Sequence, residues 1–80
     1  ICTVSFRRCA VLLQEQDTVC ELALDKGELR REGRSAPLCE IELEYVAGDE
    51  KAFLALAAEL ADQLDLVPEN ESKLARAMKL

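Results

Sequence analysis

Residues 39–46, Cys39-Glu40-Ile41-Glu42-Leu43-Glu44-Tyr45-Val46, alternate acidic and apolar side chains without a break. A period of two belongs to a β-strand, so Glu40, Glu42 and Glu44 share one face while Ile41, Leu43 and Tyr45 share the other. Carboxylates on the acidic face stand roughly 6.5–7 Å apart along the strand and repel one another. Three compensations are open: bulk water, Lys and Arg on adjacent strands, or a divalent cation. Which of them applies decides whether the stretch is structural or catalytic.

Upstream, residues 2–13 are β-branched and apolar, without Gly or Pro, and predict a strand. Val4, Phe6, Arg8, Ala10 and Leu12 fall on one parity and Thr3, Ser5, Arg7, Cys9 and Val11 on the other, so Arg7 and Arg8 point to opposite faces. Gln14-Glu15-Gln16-Asp17 predicts a polar turn, and Thr18 to Asp25 a second strand with Glu21 and Asp25 on one face. Asp25-Lys26-Gly27 carries a turn signal. Glu28 to Glu32 is open between a short strand and a turn of helix, with strand favoured by its flanks. Residues 33–37 predict a loop before the acidic strand at 38–46. Four strands on short connections imply an antiparallel sheet of hairpins.

Downstream the period changes. Phe53, Leu56, Ala57, Leu60, Ala61 and Leu64 recur at three-and-four spacing and predict an amphipathic helix over 50–66. Asp49 is its expected N-cap and Pro68 its stop. A shorter helix is predicted from about Glu71 to the end, carrying Lys73, Arg76 and Lys79. With both helices under Ile41, Leu43 and Tyr45, the acidic face would lie opposite them, exposed on an open sheet or lining the cavity of a closed one.

Eighty residues make one small domain or a piece of a larger one, and an apolar half is enough to fold. The formal charge of −6 argues against a generic nucleic-acid surface, which needs net positive charge. Cys2, Cys9, Cys20 and Cys39 lack Cys-x-x-Cys spacing and there is no His, which disfavours structural zinc; buried reduced thiols are expected. No apolar run reaches the roughly 20 residues of a membrane span, and a cytoplasmic location without membrane partners is expected.

Taken together, Glu21-Leu-Ala-Leu-Asp25-Lys-Gly27, Pro37-Leu-Cys-Glu40-Ile-Glu42-Leu-Glu44, Gly48-Asp49, the Leu/Ala helix and Ser72-Lys73 resemble the C-terminal half of a CYTH domain. This is the triphosphate tunnel metalloenzyme superfamily, with its inorganic-triphosphatase-like and class IV adenylate-cyclase-like members. The resemblance implies an α+β fold in which an antiparallel sheet forms about half of an eight-stranded tunnel barrel, packed with one long and one short C-terminal helix. It implies Mg²⁺ or Mn²⁺ held by Glu40 and Glu42, with Glu44 and Asp25, and Glu21 more remotely, on the same acidic wall. It implies phosphate binding by Arg8 or Arg7, and by Lys73. Val11 stands where the family often has tryptophan, which leaves the choice between Arg7 and Arg8 open.

The family's N-terminal Glu-x-Glu-x-Lys strand has no counterpart in residues 1–80. The chain is therefore expected to be the C-terminal part of a CYTH-like domain, completed by a missing N-terminal half or by another copy, and inactive alone. The implied activity of the parent is metal-dependent hydrolysis of inorganic triphosphate or a related organic triphosphate. Competing readings are a non-catalytic polyphosphate- or nucleotide-binding module, a cyclase-type member acting on ATP, and a structural piece.

Overall fold

The structure, a computed structural model, describes residues 1–15 and 17–80. It is α+β: strands β1 (Cys2–Glu15), β2 (Thr18–Arg31) and β3 (Arg34–Gly48), then helices α1 (Glu50–Gln63) and α2 (Lys73–Met78). The strands form an antiparallel sheet in the order β1-β2-β3. There are three strands among the described residues where four were expected, because β2 runs straight through Asp25-Lys26-Gly27 and absorbs residues 28–31.

Gly27 does not make a turn. A Cβ there would sit 2.0 Å from the Ser5 carbonyl oxygen and 2.5 Å from the Phe6 Cα, so the glycine allows β1 to pass close by. The reversal comes five residues later, at Glu32 (φ 48°) and Gly33 (φ 81°). Two successive left-handed residues make the type I′ turn whose twist suits a hairpin. The predicted loop at 33–37 is accordingly strand from Arg34 onward, and Pro37 is tolerated because β3 is an edge strand. Gln14 and Glu15 extend β1; the rest of the predicted polar turn includes Gln16, which lies outside the described residues.

The chain divides into two compact units, and each strand runs through both. The first comprises Ile1–Cys9, Leu24–Ile41 and Glu69–Leu80. Its core is Leu29, Leu38 and Ala77, with Cys2, Val4 and Leu80 packed against them. Helix α2 covers this face, and the Ser72 hydroxyl caps it by accepting from the Ala75 N–H at 3.1 Å. Arg31 donates to the Met78 carbonyl at the other end. Glu40 shares the parity of Leu38, so it lies under α2, where the reading of the sequence had put the acidic face away from both helices.

The second unit comprises Ala10–Ala23 and Glu42–Pro68. Here Thr18, Cys20 and Ala23 are buried. The Asp49 carboxylate caps α1 by accepting from the Lys51 N–H at 3.1 Å, as expected. Phe53, Leu56, Ala57, Leu60 and Ala61 are half-buried, and Phe53 meets Tyr45 edge-on at 5.6 Å. The helix ends at Gln63 rather than at 66, because Asp65 turns left-handed (φ 53°). The Leu66 N–H then bonds back to the Ala61 carbonyl and the Asp65 N–H to Asp62, a Schellman closure without its usual glycine. Leu64 is left exposed.

Among the described residues no helix is long and apolar enough to cross a membrane. All four cysteines are free thiols, but Cys9 and Cys39 are exposed, so the expectation of uniformly buried thiols holds only for Cys20 and partly for Cys2.

Candidate functional site

The polar face of the first unit is built by strand register. Phe6 abuts Gly27, so two residues further along these antiparallel strands Arg8 comes opposite Asp25. Counting out from the Glu32–Gly33 turn, with Arg31 facing Arg34, an unbulged ladder sets Asp25 opposite Glu40. Arg8, Asp25 and Glu40 thus form one row across three strands, and carboxylate oxygens of Asp25 and Glu40 lie within 4.8 Å of each other. Two acids side by side on one face are unfavourable alone.

Cations from two elements offset them. Arg8 grips Asp25 in a fork, Nε to Oδ1 at 2.6 Å and Nη2 to Oδ2 at 2.7 Å. From α2, Lys73 Nζ reaches Asp25 Oδ2 at 2.9 Å and also contacts Glu40. Arg76, one helical turn on, donates to Glu40 Oε2 at 2.6 Å, and its other amino group lies 3.9 Å from Glu69. Phe6, next on the Arg8 face of β1, lies under both cations, 4.8 Å from Lys73 Nζ and 5.7 Å from the Arg8 guanidinium carbon.

Asp25 is wholly buried, a placement a charged group tolerates only when paired. The Arg8 fork, with Lys73 beside it, outweighs that burial and holds the Asp25 carboxyl well below the usual carboxylate range. For Glu40, burial pushes upward, but the hydrogen bonds from Lys73 and Arg76 win and its pKa falls. Burial pulls Lys73 down, and its bonds to Glu40 and Asp25 overcome this and raise it. The Nε of Arg76 is buried without a hydrogen-bond partner among the described residues.

Of the residues singled out in the sequence, Arg8, Asp25, Glu40 and Lys73 meet here. Arg7 points the other way on β1, exposed and without an ion pair among the described residues, which decides between the two arginines for this cluster. Glu42 and Glu44 continue the Glu40 face of β3 as exposed residues of the second unit, and Glu21 is a half-buried member of that unit. Arg76 was passed over as a site residue. Its spacing of three from Lys73 was the available signal, since such positions share a helix face.

No family model matches the chain, and no solved structure matches it. What fold and site define is a class: an α+β unit with a partly buried, alternately charged cluster centred on the buried Asp25 on one sheet face.

Proposed function

We propose that the chain is the C-terminal part of a metal-dependent enzyme that hydrolyses inorganic triphosphate or a related organic triphosphate, its sheet forming part of the wall of a tunnel of the CYTH type. The observation that carries this reading is the burial of Asp25 between Arg8 and Lys73, beside Glu40 and Arg76. Hard carboxylate oxygens suit Mg²⁺ or Mn²⁺, and a guanidinium fork suits phosphate. Asp25 and Glu40 would hold the metal, which when bound would polarise a phosphoryl oxygen and lower the pKa of water. Arg8, Lys73 and Arg76 would orient the phosphates, and the partnerless Arg76 Nε would gain an acceptor. Further strands, from a longer chain or a second copy, would pair with the edges β1 and β3 and complete the enclosure.

A second reading, a binding module without turnover, is favoured by the neutralisation of the Asp25 and Glu40 carboxylates within the cluster. Mn²⁺-dependent release of phosphate from triphosphate, measured on the protein with its remaining strands, separates the two. Hydrolysis that falls about a hundredfold or more in Glu40→Gln supports the enzyme, on the scale of losing one preorganised charged group. Binding without release supports the module, and neither binding nor release removes both.

A further inference from the structure

Strand β1 is an edge of the sheet, and its outer side pairs with no other strand among the described residues. From Arg7 to Glu15 it holds no Gly or Pro, and every residue but the half-buried Leu13 is exposed, Val11 at 50 % and Leu12 at 68 %. A long, apolar, unblocked edge is a template for another strand. The other edge, β3, is guarded: Pro37 removes a donor, and Glu40, Glu42 and Glu44 would repel the same row on a second copy. We propose that β1 pairs antiparallel with β1 of a second copy of this chain, about a two-fold axis at Val11, joining two sheets edge to edge. The inference goes beyond the triphosphate reading and does not rest on it.

Charge selects the register. A two-fold axis through an antiparallel pair keeps each residue opposite one of its own parity, so the registers open to β1 differ in steps of two residues. Glu15 is the only acidic residue of the strand, and Arg7 shares its parity while Arg8 does not. A single register therefore sets an arginine opposite a carboxylate: Arg7 against the partner's Glu15, twice by symmetry, with Val11 against its own copy. On that register Cys9 meets the partner's Leu13 and Ala10 the partner's Leu12, a small side chain against a large one on either face. Arg7 is exposed and has no ion pair among the described residues, so it is available. Glu15, for its part, lines a cleft with Thr18, Ala52, Ala55, Leu56 and Glu59. Two carboxylates over alanine and leucine suit a guanidinium on an apolar stem. The ladder brings the partner's Arg7 to that cleft.

The test is sedimentation velocity of wild type, Arg7→Glu and Arg7→Glu/Glu15→Arg, from micromolar to submillimolar concentration in reductant. Wild type is expected to dimerise, Arg7→Glu to weaken the dimer about tenfold, and the charge-swapped double variant to recover it. Both side chains are exposed, so the fold tolerates the changes. A monomeric wild type, or a dimer indifferent to these charges, overturns the proposal. Cross-linking reads the register: Cys9→Ser/Val11→Cys/Cys39→Ser is expected to form a disulfide between copies, since opposed Cα atoms stand about 4.5–5.5 Å apart. Wild-type Cys9 lies four residues along the ladder from its own copy and should stay reduced; a link between the two Cys9 thiols instead overturns the register. On the protein with its remaining strands, a monomer whose β1 amides resist exchange assigns the edge to another segment of the same chain and overturns the proposal as well. Triphosphate hydrolysis by a monomer would leave the proposed function standing without the interface, and a charge-dependent dimer without hydrolysis would do the reverse.

Discussion

Arg8 and Asp25, seventeen residues apart in sequence, face each other across β1 and β2 and close a two-pronged ion pair with bonds of 2.6 and 2.7 Å. One partner is 43 % exposed and the other wholly buried, so the pair is asymmetric. Arg8 can find water if released; Asp25 cannot.

Removal of either partner should therefore have unequal effects. Arg8→Ala strands a buried carboxylate with Lys73 as its remaining cation and is expected to cost about 2–3 kcal/mol, below the usual loss for a fully buried pair because Arg8 is partly solvated. Arg8→Lys should recover only part of this, since an ammonium cannot bridge both oxygens in a fork. Asp25→Leu/Arg8→Met should be closer to wild type than Arg8→Ala. Urea denaturation of the set measures each, and a Lys variant as stable as wild type would count against the fork.

The acid limb of the stability profile follows from the same carboxylates. The Arg8 fork, aided by Lys73, outweighs burial and lowers Asp25; Glu40 is lowered by Lys73 and Arg76 against its own burial. A lowered folded pKa means stability that is fully present above the unfolded values, about 3.9 for Asp and 4.3 for Glu, and lost as pH falls below them. Lys73, raised in the fold, contributes below its unfolded value of about 10.4 and loses that contribution as pH climbs through the raised one. A melting temperature flat from about pH 5 to 10, falling on both sides, is expected. Asp25→Asn should flatten the acid side selectively.

Glycine substitutions should separate two kinds of constraint. Gly27→Ala drives a methyl group into the Ser5 carbonyl and the Phe6 backbone and is expected to destabilise by about 3 kcal/mol or more, the upper range of overpacking. Gly33→Ala meets nothing within 4 Å but must hold φ 81°, at a cost of about 1–2 kcal/mol. Thermal melts of both variants check the order, and Gly27→Ala should also displace Arg8 from Asp25.

Loss of the Ser72 hydroxyl in Ser72→Ala is expected to cost about 1 kcal/mol and to fray a helix of six residues from its first turn. Because Lys73 and Arg76 stand on that turn and help lower the Asp25 and Glu40 pKa values, amide exchange at Ala75 should rise and the acid limb should become shallower together. Faster exchange with an unchanged acid limb would separate the cap from the charged cluster.

Much of this was legible in the residues. The alternation at 39–46 located β3, the three-and-four spacing located α1, and Asp49 was read as its cap. Parity alone separated Arg7 from Arg8 but could not say which face would be covered. The hairpin was misplaced because Asp25-Lys26-Gly27 has the composition of a turn, whereas the actual reversal at Glu32-Gly33 begins with a residue that seldom turns left-handed. That error hid the register, and with it the row Arg8, Asp25, Glu40. The covering of Glu40 by α2 was beyond periodicity, since a short helix with one buried alanine gives little pattern to read.

The Glu32–Gly33 turn also sets an order of events. A two-residue loop has a small closure entropy, and hairpins of this kind form in about 1–10 μs. Asp25 and Glu40 would therefore come face to face while Lys73 and Arg76, more than thirty residues downstream of Glu40, are still unstructured. The nascent hairpin carries an electrostatic barrier that the finished protein no longer has. Added salt should speed refolding at neutral pH, and a chevron plot whose folding arm rises with ionic strength in wild type but not in Glu40→Gln would reveal this transient repulsion.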